Sequence, residues 1–390
     1  DRECLLDIGQ ACEALSRWSE AAGAYERAIE LIPDDPAVLV RLAIVRHPTG
    51  DARGALQALE RAERIDPEYE PIYCQRVRVL GDLGRHDDAD EAFYLGRLYR
   101  EHCPRCYHHI ALSLIARGDV ERAIYCWRRC LDLPADGQPP RAALHQHLAD
   151  ALHRRGDLEA ARAHYGKSLA LEPDNVGSLL ALAGLLLDQH RLDDAAPRVR
   201  RALKLAGDHP GALLLLGRLQ LRQGGYESAL QAFEQALQID PTYPRVHLTA
   251  ATACLRLGDR GAAVAHLRRE MALRPDDPTP LNEIANLLID AGAPESATTC
   301  LRRAIRINPR LALIWQNLAV AECLQKRFDA GIDASREALR LDPQNLSILH
   351  NLSLAEMEAG RLTDAMTHLR EGLSRAPTDR ALQRLRFRSS

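Results

Sequence analysis

The sequence predicts an all-α chain built as a solenoid of stacked helix pairs, and three observations carry that prediction. The first is a spacing. Pro33, Pro67, Pro173, Pro241, Pro275, Pro309, Pro343 and Pro377 each follow an apolar helix end, and every step from Pro241 to Pro377 is 34 residues. A period in the range of roughly 20–50 residues marks repeat architectures. The second is a glycine in mid-period, at Gly50, Gly84, Gly118, Gly156, Gly224, Gly258, Gly292 and Gly360. Each is placed to end one helix, usually just before Asp or another polar residue able to start the next. The third is composition: 46% of the 390 residues are hydrophobic, 27% charged and only 4% aromatic. Abundant Ala, Leu and Arg favour helix, and that much apolar material excludes a wholly disordered chain.

Within each period the apolar pattern is helical twice over. Two apolar residues three apart and then a small one open the unit, as Leu5, Ile8 and Gly9 or Leu213, Leu216 and Gly217. After the mid-unit glycine come a small residue, a large apolar one and a second small one: Ala21, Tyr25, Ala28; Ala229, Phe233, Ala236; Ala297, Leu301, Ala304. Spacings of three and four put each set on one helical face. Small residues let paired helices approach, and large ones fill the space between neighbours. A single such pair cannot bury its own apolar face, so the units must stack.

This pattern resembles the tetratricopeptide repeat family over nearly the whole chain, as about eleven units at 2–35, 36–69, 70–103, 104–137, 142–175, 176–209, 210–243, 244–277, 278–311, 312–345 and 346–379. The resemblance implies a right-handed superhelical solenoid of antiparallel helix pairs, with the first helix of each pair lining a concave groove. It makes 1–379 a single solenoid, and 380–390 the start of a capping helix or tail carrying Leu382 and Leu385.

Departures from the pattern mark irregular junctions near 101–104, 134–141 and 190–209. Pro48 is expected to end its helix early. The third unit lacks a closing proline and runs into "EHCP", and "GQPPR" (Gly137–Arg141) inserts before the fifth. The sixth has His190 in the mid-unit glycine's place and Pro197 inside its second helix.

Function is narrowed first by what is missing. Net charge is −3 and the pI about 6.6, which argues against nucleic acid and against an anionic membrane surface as partners. No apolar run approaches the roughly 20 residues of a membrane helix. The ten cysteines sit mostly in helical patterns, which is expected of reduced thiols in a cytoplasmic protein. There is no phosphate-binding glycine loop, metalloprotease helix or nucleophile elbow. Acidic pairs such as Asp34–Asp35, Asp87–Asp88 and Asp276–Asp277 fall at helix starts, where carboxylates cap backbone N–H groups. The expectation is a non-enzymatic scaffold with no cofactor, binding a protein or peptide partner, with self-association possible.

The register assigns groove positions to the solvent side of each first helix. His109 and His147 fall there in units four and five, beside His108, and give a polar, pH-sensitive stretch. Arg218, Arg222, Arg245 and Arg256 follow, able to meet an acidic segment. Asn282, Asn286, Asn317 and Asn351 make the last part amide-rich. An asparagine offers donor and acceptor together, so it can pair with a peptide backbone whatever its side chains. Asn286, Asn317 and Asn351 resemble the asparagine ladder of the repeat arm of O-GlcNAc transferases, which implies the alternative of a substrate-recruiting arm of a larger enzyme. Asn286 and Asn317 also resemble the pair in carboxylate-clamp domains, although that clamp needs Lys and Arg where this chain has Asn282, Ser347 and Asn351. A minor alternative is zinc on Cys103, Cys106, Cys126 and Cys130; plain packing of these thiols is the expected reading.

Overall fold

The computed structural model describes residues 1–100, 102–134, 139–273 and 278–388. Pro275, the Asp276–Asp277 pair, Glu101 and residues 135–138 of the expected 134–141 junction lie outside the described residues, as do 389–390. Among the described residues every regular element is helical: 23 α-helices and a 3₁₀ turn at His47–Thr49. They form two compact units, Asp1–Gln189 and His190–Ser390.

Both units are stacks of helix pairs. In the first, Arg141–Arg155 packs on Leu158–Leu171, and in the second Pro210–Arg222 packs on Tyr226–Ile239. The predicted small and large positions make these contacts. Tyr25, Phe233 and Leu301 are fully buried, and so are Ala21, Ala229, Ala236, Ala297 and Ala304. Burying each large side chain contributes roughly 1.5–3 kcal/mol. Gly217 shows how close the paired helices come, because a Cβ there would collide with the Phe233 ring. Successive pairs then pack on one another, Trp18–Leu31 on Pro36–Arg46 and Tyr226–Ile239 on Val246–Leu257. First helices also touch their successors: Pro71–Asp82 meets Pro104–Arg117, and Ala312–Leu324 lies between Pro278–Asp290 and Leu346–Glu358.

The turn inside each pair has one backbone requirement. All eight mid-unit glycines are left-handed, with φ between 72° and 94°. Ser16, His190 and Lys326, 34 residues from a glycine, hold the same conformation at φ 56°, 59° and 61°. The requirement therefore belongs to the turn and persists where glycine has been lost.

The proline departures resolve simply. Pro48 ends the helix Pro36–Arg46 and opens the 3₁₀ turn. Pro197 sits inside Leu192–Leu205, which continues through it. Val120–Asp132 and Arg141–Arg155, on either side of the insertion, pack on each other. At the C-terminus the helix Arg380–Arg388 buries Leu382 and Leu385 in a cluster with Leu369.

Candidate functional site

The amide-rich face lies on three successive first helices of the second unit. Asn317, on Ala312–Leu324, donates through Nδ2 to Oδ1 of Asn282 on Pro278–Asp290 at 2.8 Å. This pairing links the two helices, and Asn286 is exposed. Asn351, one repeat beyond Asn317, has Oδ1 3.3 Å from Nδ1 of His350. It also borders a cavity of about 440 Å³ between Ala312–Leu324 and Leu346–Glu358, lined by Ala319, Val320, Cys323, Leu324, Phe328 and Leu354. Amides and an apolar hollow thus adjoin on the same helices.

The four arginines differ in their settings. Arg218 is half-buried on Pro210–Arg222, while Arg256 is exposed on Val246–Leu257. Arg222 reaches Nδ1 of His190 at 3.1 Å. Arg245 needs correcting: it precedes the helix Val246–Leu257 as its N-cap, in the left-handed region at φ 68°. Its backbone N–H donates to buried Glu270 and its guanidinium pairs with Glu283 at 3.2 Å. The helix starts later here than at Pro210, the equivalent of Pro244, while Ala251 keeps the buried small-residue place of Gly217.

The histidines also differ from expectation. His108, His109 and His147 are half-buried, with ring centroids 5.6 Å apart for His108–His109 and 5.5 Å for His108–His147. His147 stacks on Trp127 at 5.6 Å and 13°, and Trp127 Nε1 donates to His108 Nδ1 at 3.3 Å. Burial pushes His108 down to about 4 and His109 to about 3, with neighbouring imidazoles adding to both. Burial lowers His147 as well, against the pull of Asp150. Lowered in this way, the rings favour the neutral form near pH 7 and pack tilted against one another, which corrects the reading of a surface that titrates there.

The thiols regroup. Cys103 and Cys106 converge with Cys74 of the preceding first helix, all three buried and their sulfurs within 4.8 Å of one another. Cys126 and Cys130 fall outside this cluster. Cys130 fills a small-residue packing place and its Sγ donates to Pro104 O at 3.3 Å. Cys130 is thus spent on its own helix pair, and the previous repeat supplies the third sulfur. Glu70, which precedes the helix Pro71–Asp82, accepts from Cys106 Sγ at 3.8 Å. Burial, and then its hydrogen bond with Cys103, raise its carboxyl to about 7. Hydrogen bonds from Cys106 and Cys74 hold Cys103 well below the usual thiol range, and Cys103 correspondingly pushes Cys106 and Cys74 up.

Sequence reasoning missed a buried acidic network. Glu322 and Glu356 stand 34 residues apart, in a first-helix place that holds Leu288 in the preceding repeat. Glu322 accepts from Arg302 at 2.8 Å. Glu356 lies 3.5 Å from Arg336 and 2.8 Å from His368 Nδ1. Arg302 and Arg336 are themselves one period apart, which is the signal that could have revealed the pairing.

Among the described residues no helix is long and apolar enough to cross a membrane. Tetratricopeptide repeat profiles match residues 2–45, 142–175, 180–244, 220–278, 282–345 and 324–386. Anaphase-promoting complex subunit 7 of Arabidopsis thaliana is 30% identical over 39% of this chain and 26% of its own length. The Arabidopsis thaliana protein CTR9 homolog is 23% identical over 50% of this chain and 18% of its own. The chain thus spans about a quarter or less of these curated relatives. Yeast Tom70 aligns with 100% of this chain and 94% of its own at 16% identity and a TM-score of 0.44. A chain of the APC/C hetero-tetramer Cut9–Hcn1 does so over 100% and 96% at 16% identity and a TM-score of 0.42.

Proposed function

The chain belongs to the tetratricopeptide repeat family, a family of protein-interaction scaffolds, and from that premise we propose that it is a non-enzymatic scaffold whose second unit binds an extended segment of a partner protein. The observation that carries this reading is the amide face with its hollow. Asn282, Asn317 and Asn351 offer donors and acceptors suited to a peptide's C=O and N–H groups. The neighbouring cavity of about 440 Å³ accepts an apolar side chain of the same segment. Backbone pairing gives affinity with little sequence demand, and the hollow gives selectivity. Arg222 and Arg256, both exposed, make acidic residues in the segment favourable.

Panning a peptide library against the full chain and titrating the selected peptides tests this. Two amide hydrogen bonds at about 1 kcal/mol each imply that Asn317→Ala with Asn351→Ala weakens binding by roughly 10–30-fold. Helix content should not change. Selected peptides that bind the double variant as tightly as the wild type would remove the amide face from the account.

A further inference from the structure

We propose that Cys74, Cys103 and Cys106, with Glu70 as fourth ligand, form a tetrahedral zinc site that clamps the third repeat to the fourth. The site is independent of the peptide-binding face, which lies in the other unit.

The first support is geometric. The three sulfurs already lie within 4.8 Å of one another. Zinc–thiolate bonds of about 2.3 Å in a tetrahedron put the sulfurs ~3.8 Å apart, so the cluster needs to close by ~1 Å at most. Its members are well anchored. Cys74 is on Pro71–Asp82, Cys106 is in the first turn of Pro104–Arg117, and Cys103 caps that second helix. The two helices pack directly on one another.

The second support is the kind of residue in each place. At the position of Cys103 other repeats have Asp35, Asn175 and Asn345, whose side chains accept from the first backbone N–H groups. Here a sulfur accepts from Cys106 N at 3.4 Å. A thiol is a weak acceptor, whereas a thiolate facing a helix N-terminus is favoured. Glu70 is the third support. Its side chain is only 14% exposed and one oxygen sits 3.8 Å from the Cys106 sulfur, while the other faces Arg100 at 3.4 Å. Plain apolar packing does not call for a buried carboxylate among thiols. A metal ligand held from behind by a cation does.

An entry route exists as well. A cavity of about 240 Å³ is lined by Glu70, Cys74, Gln75, Arg100, Cys103 and Arg105. Its two arginines offset the excess negative charge that three thiolates and a carboxylate would leave around a divalent ion. Thiolates select zinc over magnesium or calcium. Binding releases the thiol protons to solvent, and because the ligands come from two repeats it stabilises their junction.

The test is a titration of the reduced, chelator-stripped full chain with cobalt and then zinc. The expected result is one cobalt per chain, with thiolate charge-transfer and strong visible bands of tetrahedral coordination that equimolar zinc bleaches. Zinc should also shield three cysteines from a thiol reagent and raise the melting temperature. Cys74→Ser should lose roughly 100-fold or more in zinc affinity. Glu70→Gln should keep the charge-transfer band with affinity down about 10–100-fold, and Cys130→Ser should bind as the wild type does. Cobalt that keeps its hexaaqua spectrum with the wild-type chain overturns the proposal whether or not any variant folds. So does a folded Cys74→Ser chain that binds zinc undiminished, or a disulfide among the three cysteines in the chain as isolated.

Discussion

The two units, Asp1–Gln189 and His190–Ser390, are cut from one repeat and filled with different chemistry. In the first, Cys74, Cys103 and Cys106 meet at one junction, and His147 stacks on Trp127 with His108 and His109 tilted beside it. In the second, the corresponding interior holds carboxylates: Glu270, Glu322 and Glu356 are almost wholly buried. Glu322 and Glu356 take arginines from the second helix of the preceding repeat. The repeat fixes spacing and burial, and leaves each unit free to choose which polar groups tie neighbouring pairs together.

Removing the ties of one unit breaks that comparison most sharply. Arg336→Ala with His368→Ala leaves Glu356 buried without either partner, at a cost of about 3–5 kcal/mol. Adding Glu356→Leu should recover most of it, since an apolar side chain suits the place that Leu288 fills in an earlier repeat. Urea unfolding of the three chains checks this, and a double variant as stable as the wild type would show that the network contributes nothing.

A smaller effect, of opposite sign, sharpens what the units share. Lys326 holds the left-handed turn at φ 61° where eight repeats have glycine. Lys326→Gly should stabilise the chain by about 1 kcal/mol, read as a higher denaturation midpoint. No gain would mean that the lysine side chain offsets its backbone strain.

An effect of similar size is a shared response to acid. His145 and His164 lie with Nδ1 atoms 3.0 Å apart, and His247 and His266, 102 residues on, repeat the pair at 2.9 Å. Burial lowers all four, and for His164, pushed down to about 4, His145, Lys167 and Arg128 act in the same direction. A depressed histidine contributes stability that is present above its ordinary value of 6.5 and is lost as pH falls from there toward about 4. His164→Leu should therefore flatten the decline in stability between these values by about 1 kcal/mol or more. An unchanged slope would assign the acid response to other groups.

The same contrast decides what could be read from the sequence. The helix pairs were legible because proline, glycine and alternating small and large residues recur at fixed spacing. Ser16 and Lys326 escaped notice because the turn keeps its conformation without its glycine. Cys103 and Cys106 were visible as a local pair, but Cys74 was not, since its closeness comes from one first helix packing on the next. The glutamates were illegible for another reason. A charge in an apolar register place looks like drift until its arginine, on another helix, is seen beside it. The asparagines were found by periodicity, although the pair that forms is Asn282–Asn317.

Photocrosslinking with a library-selected peptide tests the central claim, that the amide face of the second unit is the binding surface, most directly. A diazirine on the peptide's apolar anchor should label Ala312–Leu324 and Leu346–Glu358, with labelling reduced by Asn317→Ala and Asn351→Ala. Labelling confined to Asp1–Gln189, or spread evenly over both units, would contradict it.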